Sequence, residues 1–165
     1  MNVELVEIQD SDYAIVKEIY DYYVVNTTVT FSTQKVSLTE LRETILNGHP
    51  KYKSFILKIK GTICGFCYLS QYKKRQAYNR TAEISVYLKP EFAGLGIGKQ
   101  TLEKMQIIAL ENGIFVLVGI VTAENNQSVG LFEKCGFEKC AHFKKVGEKF
   151  NRILDVVAYQ KILDN

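Results

Sequence analysis

Three glycines, Gly94, Gly96 and Gly98, alternate in AGLGIGK, between the apolar segment SVYL and the helical pattern QTLEKM. At a helix N-terminus the first backbone N–H groups have no intrahelical partner, and the helix dipole favours an anion there. Glycines let the chain bend and let a ligand approach the backbone closely. The pattern predicts a phosphate cradle over residues 94–99. Two common cradles fail on spacing. A dinucleotide fingerprint needs G-x-G-x-x-G, and Gly94-Leu95-Gly96-Ile97-Gly98 is one residue short. A Walker A loop needs glycine where Ala93 stands and Ser or Thr after Lys99, where Gln100 stands. Upstream, in RTAEISVYL, Glu83 is a carboxylate able to take a proton. On a strand Glu83, Ser85 and Tyr87 share one face, and Ala82, Ile84, Val86 and Leu88 the other. Position alone leaves open an exposed glutamate paired with a cross-strand lysine.

The elements that must hold these groups follow from periodicity. VELVEI alternates as a first strand. Ser11 is placed to cap a helix over Asp12–Val25, and Ser37-Leu38-Thr39-Glu40 is a capping box opening a short helix that ends at Gly48. KSFILKI and TICGFCYLS read as strands around Lys60-Gly61, and RTAEISVYL as the next. Leu102, Met105, Ile108 and Ala109 form the stripe of a helix that Gly113 ends. GIFVLVGIV predicts a strand buried on both faces. Asn125 or Asn126 caps a short helix, and two last strands meet at a turn near Gly147. The expectation is one domain over residues 1–165, α/β, with a mixed central sheet of about seven strands and helices on both faces.

Bulk properties narrow the function. The net charge of +3 and the lack of a long basic run argue against nucleic acid and suit a small anionic ligand. The acidic N-terminal segment is no signal peptide, and no apolar run is long enough to cross a membrane, so the expected compartment is the cytoplasm. Cys64 and Cys67 form a C-x-x-C inside a strand; three apart, they are expected on opposite faces as small buried hydrophobes. The two histidines, His49 and His142, stand beside no cluster of metal spacing, and no metal is expected.

The glycine loop resembles the Q/R-x-x-G-x-G/A pyrophosphate loop of the GNAT-superfamily N-acetyltransferases, with Ala93 where they carry Gln or Arg. Asn125-Asn126-Gln127-Ser128 and Leu131-Phe132-Glu133-Lys134-Cys135-Gly136-Phe137 resemble their N-x-x-S and L-Y-x-K-x-G-F. Within that superfamily, IYDYYVVNTTVTF, His49-Pro50, RQAYNRTAEISVYL and VGEKFNRILDVVAYQ resemble the phosphinothricin N-acetyltransferases. The resemblance covers most of the chain. It implies the GNAT fold and acetyl transfer from acetyl-CoA to the α-amine of phosphinothricin, methionine sulfoximine, methionine sulfone or a related small amino acid, by a homodimer.

It also implies roles. Glu83 is the general base. The amides of Val86, Tyr87 and Leu88 meet the acetyl oxygen and pantetheine; Gly94, Leu95, Gly96, Ile97, Gly98 and Lys99 hold pyrophosphate; Asn125 and Ser128 lie on the pantetheine arm. Phe31, Arg75, Tyr78 and Arg80 fall at the acceptor. Arginine suits a carboxylate, which it binds through two hydrogen bonds. The chain departs from the pattern at Phe132, where many GNAT enzymes carry a Tyr general acid and the phosphinothricin group often a His, and at Ser32, Asn151 and Ile153, where Glu, Gly and Trp are usual. The chemistry sets matching demands. An α-amine of pKa about 8 is only roughly a tenth neutral at pH 7. A thiolate of pKa about 8.5 leaves tolerably without a proton, so Phe132 implies unassisted departure or protonation by water. Two rivals remain: an acetyltransferase for another small primary amine, and a non-catalytic acyl-CoA-binding module. A polyamine site would want acids where KKRQAYNR is basic.

Overall fold

The computed structural model describes residues 1–163. Seven strands form one sheet: β1 (Val3–Glu7), β2 (Ser54–Ile59), β3 (Thr62–Gln71), β4 (Thr81–Leu88), β5 (Val116–Thr122), β6 (Glu138–Lys149) and β7 (Arg152–Ile162). Their order is β1-β2-β3-β4-β5-β7-β6, and only β4 and β5 run parallel. Helices α1 (Tyr13–Asn26) and α2 (Leu38–Thr44) pack on one face, α3 (Ile97–Glu111) and α4 (Asn126–Lys134) on the other. The expected mixed sheet with helices on both faces is therefore present.

The alternation of β4 decides what each face receives. Ala82 and Ile84 enter the core beside Leu102, Met105 and Leu117, while Tyr87 packs on the opposite side against Phe66. Each large apolar side chain buried in these layers contributes about 1.5–3 kcal/mol. The α3 stripe is set by helical spacing: Leu102, Met105 and Ala109 are fully buried.

Several local expectations are corrected. Ser11 does not cap α1. Asp12 occupies the N-cap, and its carboxylate instead accepts the Gln9 N–H at 2.8 Å. The capping box at Ser37 and Glu40 forms, but α2 stops at Thr44, because Ile45 turns extended and buries its side chain. Gly48, with φ +67, lies in the loop beyond. Cys64 and Cys67 enter the same core layer, because a β-bulge opposite Leu57 and Lys58 shifts the alternation of β3 by one residue. β5 is buried on both faces as expected except at Ile120, which is 45% exposed between the buried Val118 and Thr122.

The β6–β7 turn is Phe150-Asn151, not the neighbourhood of Gly147. Both turn residues have positive φ, +53 and +58, which suits a two-residue hairpin loop. Gly147 lies within β6 for another reason: a Cβ there would overlap the Phe31 ring.

Gly65 on β3 is required by its neighbour. A Cβ at that position would overlap the Tyr87 carbonyl oxygen and press on the Leu88 backbone, neither of which can swing aside. Gly65→Ala should lower unfolding stability by about 1–3 kcal/mol, the usual cost of overpacking. Urea denaturation checks this; an unchanged midpoint would contradict it.

Candidate active site

β4 and β5 pair over only three rungs, Thr81–Val116, Ala82–Leu117 and Glu83–Val118. Beyond Glu83 they part, while β4 stays paired with β3 as far as Leu88. The peptide groups of β4 past Glu83 that face β5 thus have no strand to bond. A cleft of about 550 Å³ opens there, lined on one side by Val86, Tyr87 and Leu88. That volume is ordinary for a ligand site. A smaller cavity of about 60 Å³ continues into the fork between Ser85, Ile120 and Phe132. The exposure of Ile120 is therefore exposure to the fork.

The glycine loop forms the end of the cleft. Gly94 and Gly96 have φ +75 and +80, which side-chain-bearing residues adopt only with strain. Gly96 is the N-cap of α3, and the first intrahelical bond is Gln100 N–H to its carbonyl. The N–H groups of Ile97, Gly98 and Lys99 precede that bond and lie at the cleft wall. Gly98 brings α3 close to α4: a Cβ would stand 2.9 Å from Leu131. Of the six loop residues expected at phosphate, Leu95 alone does not line the cleft; it is 49% exposed.

Asn125 and Ser128 line both cavities. Asn125 caps α4: its amide oxygen accepts the Ser128 N–H at 3.2 Å, and its NH₂ donates to the Ser128 hydroxyl at 2.9 Å. One N–H of that amide is left for a ligand. Beyond it, Gln127, Gly130, Leu131 and Lys134 line the cleft at helical spacing i, i+3, i+4, i+7. This face was readable from sequence once the helix was placed. Lys134 adds a second cation to Lys99, which sits 3.8 Å from Glu103. Tyr23 and Val29 also line the cleft unforeseen. The Tyr23 hydroxyl donates to the Leu88 carbonyl.

Glu83 occupies the last paired rung, at the base of the fork, on the face of Tyr87 and Tyr68. It is half-buried. Burial pushes its carboxyl pKa up, and the nearby Lys73 ammonium pulls it partly back. A carboxylate whose pKa is raised is the stronger base. Lys73 opens the basic KKRQAYNR link, and its ammonium also lies 5.2 Å from the Tyr72 ring. Burial pushes the Tyr68 hydroxyl up to about 12, against the lowering effect of its hydrogen bond with Ser85.

Phe132 is buried, edge-on to Phe137 at 4.9 Å and stacked on Tyr159 at 6.2 Å. Its ring lies over Gly119, where a Cβ would overlap it. The Tyr159 hydroxyl donates to Glu133 at 3.0 Å, so that hydroxyl proton is already committed.

The four residues expected at the acceptor are scattered. Phe31 is 38% exposed and packs on Gly147. Arg75 and Tyr78 stand on an exposed 3-10 turn between β3 and β4, where Tyr78 meets Tyr72 edge-on at 5.7 Å. Neither lines the cleft or the fork cavity. The Arg80 guanidinium lies 5.4 Å from the Phe115 ring, at the far end of the β4–β5 pairing from the fork. Lys149, 3% exposed, was given no role from sequence; it reaches the carbonyl of Thr30 at 2.8 Å.

Residues 5–158 match the family described as acetyltransferase (GNAT) domain. The chain is 31% identical over 162 residues to phosphinothricin N-acetyltransferase of Alcaligenes faecalis, covering 95% of this chain and 81% of that protein. It is 28% identical to the L-amino acid N-acyltransferase MnaT of Escherichia coli K12, over 93% of this chain and 90% of the other. Among solved structures, the phosphinothricin acetyltransferase of Sinorhizobium meliloti in complex with acetyl-CoA superposes with a TM-score of 0.90 at 26% identity, covering 98% of this chain and 89% of that one. The splayed strand, the glycine-capped helix and these likenesses agree, and the chain belongs to the GNAT acetyltransferase family.

Proposed function

We propose that the protein N-acetylates the α-amine of a small amino acid or analogue of the phosphinothricin, methionine sulfoximine or methionine sulfone type. Acetyl-CoA supplies the acetyl group as a thioester. The observation that carries the reading is the fork: one carboxylate, Glu83, at its base, and unpaired β4 peptide groups leading to a glycine-capped helix N-terminus. The N–H groups of Ile97, Gly98 and Lys99, with the Lys99 and Lys134 ammoniums, suit a pyrophosphate. Asn125 and Ser128 suit the amides of the pantetheine arm.

Glu83 takes the amine proton, directly or through water. The β4 N–H groups of Val86 and Leu88, which face away from β3, stabilise negative charge developing on the carbonyl oxygen, whereas that of Tyr87 faces β3. Losing one such donor costs about 3–4 kcal/mol in comparable sites. Phe132 has no proton to give, so the thiolate departs unassisted or is protonated by water. On the acceptor side, Phe31 serves as a wall, and Lys73, beside Glu83, suits a carboxylate, with Arg75 and Tyr78 farther along the same basic link; Arg80, at the far end of the β4–β5 pairing, is left out of the site.

Glu83→Gln should lower kcat by about 10²–10⁴-fold, with acetyl-CoA affinity held. Burial raises the Glu83 pKa, so the base is lost as pH falls through a value above the ordinary glutamate range. The acid limb of kcat/KM should fall there and vanish in the variant. Unchanged turnover at neutral pH would remove Glu83 from the mechanism. A basic limb abolished by Tyr23→Phe would show a protein acid after all.

The acceptor is tested by thiol release from acetyl-CoA across methionine sulfone, methionine sulfoximine, phosphinothricin, polyamines and amino sugars. Turnover confined to the amino-acid analogues is expected. Turnover of polyamines alone would transfer the chain to another amine, and tight acetyl-CoA binding without turnover would make it a binding module.

The active form is read as a cytoplasmic homodimer. Four free cysteines suit a reducing compartment. Phe143, Val146, Phe150 and Ile153, each at least half exposed along the outer hairpin, supply an apolar face for a second copy. Sedimentation at micromolar concentration should give twice the 18.8 kDa chain mass; a monomer throughout would reject the dimer.

A further inference from the structure

The segment between α1 and α2, residues 27–37, contains no helix or strand. Yet its Val29 lines both the cleft and the fork cavity, while its Phe31, which lines neither, packs on Gly147 and is the wall of the proposed acceptor site. An irregular segment at a reacting centre must be held from outside, since its own backbone supplies no ladder. Two of its anchors come from one place, the rung Lys149–Arg152 that closes the β6–β7 hairpin next to the Phe150-Asn151 turn.

From that rung Lys149 donates to the Thr30 carbonyl at 2.8 Å. Arg152 donates to both carboxylate oxygens of Glu124, at 3.0 and 2.5 Å, and the Thr28 hydroxyl donates to the same carboxylate at 2.6 Å. The Thr122 hydroxyl, on β5, adds a bond to the Thr28 carbonyl at 2.5 Å. Thr30 is held from its other side by the Tyr20 hydroxyl, at 2.7 Å, which also meets Ser32 at 2.9 Å.

We propose that the Lys149–Arg152 rung is a two-point clamp that positions the irregular segment against the fork. Lys149 fixes the Phe31 side, hence the acceptor; Arg152, through Glu124, fixes the Val29 side, hence the acyl donor. Both are positioning residues. Lys149 is 3% exposed and lines neither cavity, so it reaches the reaction only through Thr30. Burying an ammonium is costly, and a packed apolar residue would often serve stability as well. A lysine retained there is consistent with a need for the Thr30 bond in particular. Glu124 precedes Asn125, so the Arg152 branch also bears on the turn that carries the α4 cap.

The kinetic arm of the test rests on the acceptor reading above; the other arms do not. In Lys149→Met, the acceptor KM should rise about tenfold or more, the loss expected for one charge-assisted bond, while the acetyl-CoA dissociation constant holds. Amide order parameters at residues 29–32, near the rigid value of about 0.85 in the parent, should fall toward about 0.6. Lys149→Arg keeps a cationic donor and should restore most of both. In Arg152→Gln the pattern should invert: acetyl-CoA binding weakens by up to about fivefold, the range of an exposed ion pair, and the acceptor KM moves less. Unchanged order parameters in folded Lys149→Met would overturn the clamp, as would equal shifts for both ligands in both variants. Should Lys149→Met not fold, the Arg152→Gln order parameters at residues 28–29 decide alone, and no change there overturns it. Should the parent acetylate no amine of the panel, the acceptor reading fails, while order parameters and acetyl-CoA binding still judge the clamp.

Discussion

Everything at the site depends on the separation of β4 and β5 after the Glu83–Val118 rung. A parallel pair normally spends its peptide groups on the ladder. Here the strands stop pairing halfway, and the polar groups so released become the polar wall of the cleft. The same separation leaves a carboxylate, Glu83, on the last rung, where partial burial pushes its pKa up although it lines neither cavity itself. Burial elsewhere supports this opening: the layers on either face hold the rest of both strands, so the fork is a local exception in a tightly paired sheet.

Two kinds of constraint keep the fork open. One is steric. Gly119 on β5 admits the Phe132 ring, and Gly65 on β3 lets the Tyr87 peptide approach. The other is polar: Asn125 and Ser128 close the start of α4 at the cleft, and Tyr23 secures the Leu88 carbonyl at the outer end of β4. Rigid elements thus carry the donor side. The proposed acceptor side would rely on an irregular segment and on a link that is exposed through Arg75 and Tyr78. Differences among acceptors would be expected to concentrate there, where side chains can change without disturbing the ladder.

The frame of the cleft was legible in the sequence because its signals are local. A glycine at the N-cap, an asparagine before a helix and a strand ending in proline each act on neighbours within a few residues. The alternation of β4 correctly assigned Glu83 and Tyr87 to one face. What escaped was set by distant contacts. The bulge that puts Cys64 and Cys67 in one layer arises from pairing with Leu57 and Lys58. The last turn was expected near Gly147, yet it forms three residues on, and the glycine's small size is demanded by Phe31, far away in the chain. Lys73 and Lys149 carry no motif, and their importance follows from what folding brings beside them.

The stacking of Phe132 over Gly119 also bears on how such a site can change over time. The ring fills the space that any β-carbon at 119 would need, so the two positions behave as one inherited unit. A lineage that gained a side chain at 119 would have to shrink residue 132 in step. The ring's tip is the part nearest to that space, so a hydroxyl at 132 would be added at the point of closest approach to Gly119. A glycine at 119 is therefore required by any six-membered ring at 132, with or without a hydroxyl on its tip.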